Sequence, residues 1–89
     1  MRSEKIAVIG SNSFSGASFV RYVLEKGHKV IGFSRSEEPE DVFLPYKWLK
    51  EGQGRFQFEK ADLNHDIEKL IEILSEEKPS YIVNFAALS

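Results

Sequence analysis

Residues 6–16 read Ile6-Ala7-Val8-Ile9-Gly10-Ser11-Asn12-Ser13-Phe14-Ser15-Gly16, and the fold turns on how they divide. Four apolar residues in an unbroken run, closed by Gly10, suit a strand buried on both faces, as in a parallel sheet. From Phe14 the period changes. Ala17, Val20, Val23 and Leu24 fall three or four apart, the stripe of an amphipathic helix, and Lys26-Gly27 supplies a stop. A strand, a glycine-bearing turn and a helix therefore open the chain.

Working outward, His28 to Ser34 reads as a second strand through Val30, Ile31 and Phe33. Residues 36–54 are acidic and turn-like at first, with room for a short helix between Val42 and Lys50 that Pro45 limits, and a flexible Gly52-Gln53-Gly54 joint. Phe56 and Phe58 alternate with polar residues in a third strand ending near Lys60. Asn64 or Asp66 can cap a helix carrying Ile67, Leu70, Ile71 and Leu74, which Lys78-Pro79 ends. Tyr81 to Ala87 is a fourth strand. Strands alternating with helices imply parallel pairing through right-handed crossovers. The expected architecture is an α/β, Rossmann-type parallel sheet of order 3-2-1-4 with helices on both faces. Its ligand crevice lies where the order reverses, between strands 1 and 4.

With 89 residues there is one domain at most, and a chain this short buries only about two-thirds of its unfolded surface. Twelve basic against fourteen acidic residues argue against a nucleic-acid partner, which favours a basic face. Zero cysteines remove disulfides, thiolate metal sites and cysteine nucleophiles together. The apolar run at Ile6–Ile9 is too short for a secretory or membrane segment, so a cytoplasmic setting with no membrane partner is expected. His28 and His65 have no companion at metal-ligand spacing, so both are expected to be solvated. Phe43, Tyr46 and Trp48 read as core packing.

The turn Gly10–Gly16 carries the chemistry. Gly10 ends the strand where a side chain would obstruct a pyrophosphate, and Gly16 lets the helix pack close to the sheet. Free N–H groups of Ser13, Phe14 and Ser15 at the helix N-terminus favour an anion, and Ser11, Asn12 and Ser13 add side-chain donors. The plainer alternative is a tight turn whose glycines serve packing alone. At the end of strand 2, where NAD sites place Asp or Glu, stands Ser34-Arg35-Ser36. Arg35 can pair with the 2′-phosphate of NADP that an acid would repel, unless it is simply a solvated arginine. After strand 3, Asp62 can accept from the adenine amino group with Leu63 beside the ring, or can serve the helix N-terminus, or both. NADP is favoured over NAD as the dinucleotide.

These residues resemble the N-terminal part of the extended short-chain dehydrogenase/reductase family, the NAD(P)-dependent epimerases and dehydratases of nucleotide sugars. The likeness lies in Ile9–Gly16, in Gly32-Phe33-Ser34-Arg35-Ser36, in Ala61-Asp62-Leu63, and most specifically in Lys78-Pro79-Ser80-Tyr81-Ile82-Val83-Asn84-Phe85-Ala86-Ala87. The resemblance implies pyrophosphate near Gly10, Ser13, Phe14 and Ser15, and the adenosine ribose at Ser34 and Arg35. It implies adenine at Asp62 and Leu63, and the nicotinamide half against Phe85, Ala86, Ala87 and Ser89. One departure stands out: the family usually has Gly where this chain has Ser13. The Ser-Arg-Ser end of strand 2 looks more like the NADP-using 4,6-dehydratases than the NAD-using 4-epimerases.

The family's catalytic Tyr-x-x-x-Lys and its sugar-nucleotide domain lie beyond strand 4. Residues 1–89 are thus expected to be a partial dinucleotide-binding domain, a truncated product inactive alone. Tyr22 and Lys26 match that spacing but sit on helix 1 and read as coincidence. Strand 4 would form an apolar sheet edge, and such edges pair with something. The expected partner is the missing C-terminal portion or a second copy. The alternatives are a non-catalytic dinucleotide-binding or sensing module and a self-associating structural α/β domain.

Overall fold

Apolar residues that alternate between two faces need cover on both, and the chain supplies it with one helix per face. The computed structural model describes residues 3–36 and 55–85. In order they form β1 (Lys5–Ile9), α1 (Phe14–Glu25), β2 (Lys29–Ser34), β3 (Phe56–Lys60), α2 (Ile67–Glu77) and β4 (Tyr81–Asn84). The sheet runs β3-β2-β1-β4, and every pair is parallel. The expected strand order is the observed one.

β1 is the hub, with Ile6 opposite Val30 on one side and Tyr81 on the other. Successive side chains of a strand point to opposite faces. Ile6 and Val8 accordingly join Val30 and the α1 residues Ala17, Val20, Val23 and Leu24 in one core cluster. Ala7 joins Ile31, Phe33, Ala61 and the α2 residue Leu70 in the other. Ala7 and Val8 are wholly buried, which is why the run Ile6–Ile9 contains no polar residue.

The helix ends explain the loops. Ser13 takes extended backbone, and its Oγ accepts from the Gly16 amide at 3.0 Å, capping α1. α2 begins after Asp66, but Asp66 makes no cap bond with its side chain. Its carboxylate accepts from the Asp62 amide at 2.8 Å instead, tying the helix start to the end of β3. Lys78 ends α2 in the left-handed region (φ 49°), just before Pro79. An ion pair of 2.9 Å joins Lys5 to Glu77 across the sheet's lower edge.

Some expectations need correction. Among the described residues β4 ends at Asn84, although the Phe85 amide still donates to the Ile9 carbonyl at 2.7 Å, and Ala86 and Ala87 of the expected strand lie outside the described residues. His28 is not simply solvated: it is half-buried, and its Nδ1 accepts from the Glu4 amide at 3.0 Å. His65 is exposed as expected. The short helix considered for 42–50, the glycine joint at 52–54 and the side chains of Phe43, Tyr46 and Trp48 lie outside the described residues. No described helix is long and apolar enough to cross a membrane.

Candidate functional site

In a parallel sheet all strand C-termini share one edge, so the loops after β1, β2 and β3 and the end of β4 converge there. They enclose a cavity of about 420 Å³ lined on one flank by Gly10, Asn12 and Ser13 and on the other by Ser34, Arg35 and Ser36. Asp62, Leu63 and Asn64 line it from the β3 loop, and Asn84 from β4.

Two glycines make the first flank possible. Gly10 has φ 84°, a conformation L side chains rarely adopt, and this turns the chain off β1 toward α1. A Cβ on Gly16 would collide with the Gly10 carbonyl oxygen and crowd Ser13 Oγ at 2.8 Å. The first turn of α1 therefore lies directly against the turn that precedes it. The Gly10 amide donates to the Phe33 carbonyl at 2.6 Å, which extends the β1–β2 pairing into the site.

The donors differ from the expected set. The Ser13 amide is not open, because it donates to the Gly10 carbonyl at 3.0 Å, and the Ser13 hydroxyl donates to the same oxygen at 2.8 Å. Ser11 offers no side-chain donor to the cavity. It is wholly buried, its Oγ lies over Gly32, and its hydroxyl has no hydrogen-bond partner among the described residues. The Asn12 amide group donates to the Ser36 carbonyl at 3.1 Å. Phe14 and Ser15, the first two residues of α1, are exposed at the positive end of the helix dipole, but neither is among the residues that line the cavity. No acidic residue occupies that first turn to compete with an anion.

Arg35 is exposed at the far flank and forms no ion pair among the described residues. Asp62 is the one carboxylate in the lining among the described residues. Its Oδ1 accepts from the Asn64 amide at 2.8 Å, a side-chain turn that orders the loop before α2. Phe85 lies on the α1 side rather than in the lining. Its ring packs on Phe19 with centroids 5.5 Å apart, against the α1 core cluster. Ala86, Ala87 and Ser89 lie outside the described residues. Tyr22 and Lys26 stack on each other at 5.4 Å near the other end of α1, and neither lines the cavity.

Ile9, Ala61, Asn64 and Asn84 also line the cavity, though the sequence alone assigned none of them a part in binding the dinucleotide. The shared C-terminal edge would have marked them, since each ends or follows a strand. Chemically the cavity offers the polar turn before α1 on one flank, the cation Arg35 on the other, and the acceptor Asp62 beside the apolar Leu63 between them. No group of three or more metal-ligating side chains occurs among the described residues.

Comparison with known proteins places this geometry in context. The family model for GDP-mannose 4,6 dehydratase matches residues 8–89. Protein CapI of Staphylococcus aureus is 31% identical over 84 residues, covering 93% of this chain and 25% of CapI. Among solved structures, the Bordetella bronchiseptica enzyme WbmH in complex with NAD+ superposes with a TM-score of 0.76 at 18% identity, over 96% of this chain and 26% of that one. dTDP-glucose 4,6-dehydratase from Bacillus anthracis str. Ames, in complex with NAD, gives 0.73 at 25% identity, over 94% and 27%. The WbmH likeness speaks to the fold alone. The chain spans about a quarter of the length of these relatives.

Proposed function

The chain belongs to the GDP-mannose 4,6-dehydratase family, and from that premise we propose that it forms the NAD(P)-binding N-terminal portion of a nucleotide-sugar 4,6-dehydratase- or epimerase-like protein. NADP is the favoured cofactor and NAD the alternative. One observation carries the reading: the glycine-bearing turn before α1 (Gly10, Asn12, Ser13) and Ser34-Arg35-Ser36 flank one cavity at the strand C-termini.

The residues present fit such a ligand. Pyrophosphate meets the Phe14 and Ser15 amides, where hydrogen bonds and the helix dipole act together. Gly10 puts no side chain at the turn, and Gly16 lets α1 start directly against it. Adenine lies near Asp62 and Leu63, and the 2′-phosphate of NADP meets Ser34 and Arg35. A carboxylate at the end of β2 would accept from both ribose hydroxyls of NAD, but here the flank holds two serines and an arginine. Two of the similar structures are NAD complexes, which keeps NAD as the alternative.

Bound dinucleotide supplies hydride exchange with a sugar carbon. The chain's own part is to bind and orient it, and catalysis belongs to a longer protein that also carries the Tyr-x-x-x-Lys and the sugar site. The edge strand β4, with Tyr81 and Ile82 60% and 56% exposed, favours pairing with a further strand, from that longer protein or from a second copy. A non-catalytic sensing module would use the same cavity without those additions.

Calorimetric titration with NADP, NAD and 2′-phosphoadenosine compounds tests the reading. NADP is expected to bind tightest. Equal affinity for NAD removes the role given to Arg35, and no binding by any of the three removes the site.

A further inference from the structure

Among the described residues, the Asn12 side chain reaches from one flank of the cavity to the other. Up to Ser34, backbone pairing holds β2 in place: the Phe33 carbonyl accepts from the Gly10 and Ser11 amides, and the Ser34 carbonyl from the Ala61 amide at 2.8 Å. Past Ser34 that pairing ends, and Arg35 and Ser36 are exposed. A hydrogen bond from Asn12 reaches this turn: its Nδ2 donates to the Ser36 carbonyl at 3.1 Å across 24 positions of sequence. Asn12, Ser34, Arg35 and Ser36 all line the same cavity.

We propose that Asn12 is a positioning residue for Arg35, setting the preference for a 2′-phosphorylated dinucleotide. The inference rests on the NADP reading above. By holding Ser36, Asn12 fixes the Ser34-Arg35-Ser36 turn at one distance from the glycine-bearing turn. That distance must match a ligand carrying a pyrophosphate at one end and a 2′-phosphate at the other. An exposed arginine on a loose turn must be ordered when it binds, and ordering costs affinity. A turn already tethered through its next carbonyl loses less. Ligand without the 2′-phosphate does not use Arg35 and gains little from the tether.

The test compares the wild-type protein with Asn12→Ala, Arg35→Ala and the double variant. Asn12 has no left-handed backbone, so Ala imposes no strain there, and Asn12→Ser serves as a second variant should Ala disturb folding. Asn12→Ala is expected to weaken NADP about three- to tenfold, the worth of one hydrogen bond, and to leave NAD within twofold. In the Arg35→Ala background it should cost NADP nothing further, because Asn12 acts through Arg35. Equal losses for NADP and NAD would make Asn12 a direct phosphate ligand and overturn the proposal, as would no loss at all.

A second readout needs no cofactor. Backbone ¹⁵N order parameters of Arg35 and Ser36 in the ligand-free protein should fall in Asn12→Ala, while those of α1 stay unchanged. If the wild type binds neither dinucleotide, the NADP reading fails, and this measurement alone decides the tether. Loosening upholds it, and unchanged order parameters overturn it.

Discussion

The carbonyl oxygen of Gly10 occupies the space that a Cβ on Gly16 would need. The turn and the helix it feeds are thereby pressed together, so that α1 starts directly beside Gly10 and Ser13 of the cavity lining. Helix propensity and packing make opposite statements about Gly16. Alanine in a helix interior is favoured over glycine by about 1 kcal/mol. Overpacking against backbone that cannot yield costs about 1–3 kcal/mol. Gly16→Ala is expected to be destabilised in urea unfolding and to lose dinucleotide binding. A more stable variant would show that the close approach does not constrain the site.

Ser13 stands where the family usually has glycine, and its hydroxyl both caps α1 and bonds to the Gly10 carbonyl. Loss of a capping hydroxyl to alanine costs about 1 kcal/mol, whereas glycine at the same place costs only a few tenths. Chemical denaturation should therefore rank wild type and Ser13→Gly close together, with Ser13→Ala clearly below. Equal stability of all three would mean the cap contributes nothing here.

Replacing Arg35 with Asp puts an anion where a cation faced the 2′-phosphate. NADP affinity should drop more than tenfold, over about 1.4 kcal/mol, while NAD stays level or improves. Calorimetry reads this directly, and an unchanged NADP affinity retires the assignment.

α2 reaches the core through Leu70, its one buried residue, whereas Ile71 is 56% exposed. Leu70→Ala should cost about 2–5 kcal/mol by leaving a cavity, and Ile71→Ala far less. Thermal unfolding of the two variants side by side checks the face on which α2 packs. Comparable losses would mean that Ile71 is covered in solution.

On β4, Ile82→Lys should leave secondary structure intact and abolish any concentration-dependent association in sedimentation, because a lysine blunts a sheet edge. If a self-associating protein keeps associating after this change, the contact lies elsewhere.

Periodicity alone settled much of this molecule. The unbroken run Ile6–Ile9, the helical spacing of Ala17 to Leu24 and the alternation of strand with helix left few topologies for a parallel sheet, and the observed order is the expected one. Short-range features such as these depend on residues close in sequence, so they are legible without coordinates. The positions of Gly10, Arg35 and Asp62 around one crevice followed from the same rule, since parallel strands end at a common edge.

Which donors face that crevice could not be read this way. The Ser13 amide and hydroxyl turn back to Gly10, Ser11 is buried over Gly32, Phe85 packs on Phe19, and His28 accepts from Glu4. Each outcome depends on a partner brought near by the closed sheet or by the tightness of the turn. A polar side chain takes whichever acceptor or donor lies within reach. Residue type and spacing determined where a ligand can sit. Only the folded backbone decided which groups remain open to hold it, because hydrogen bonds made within the protein remove those groups from the site.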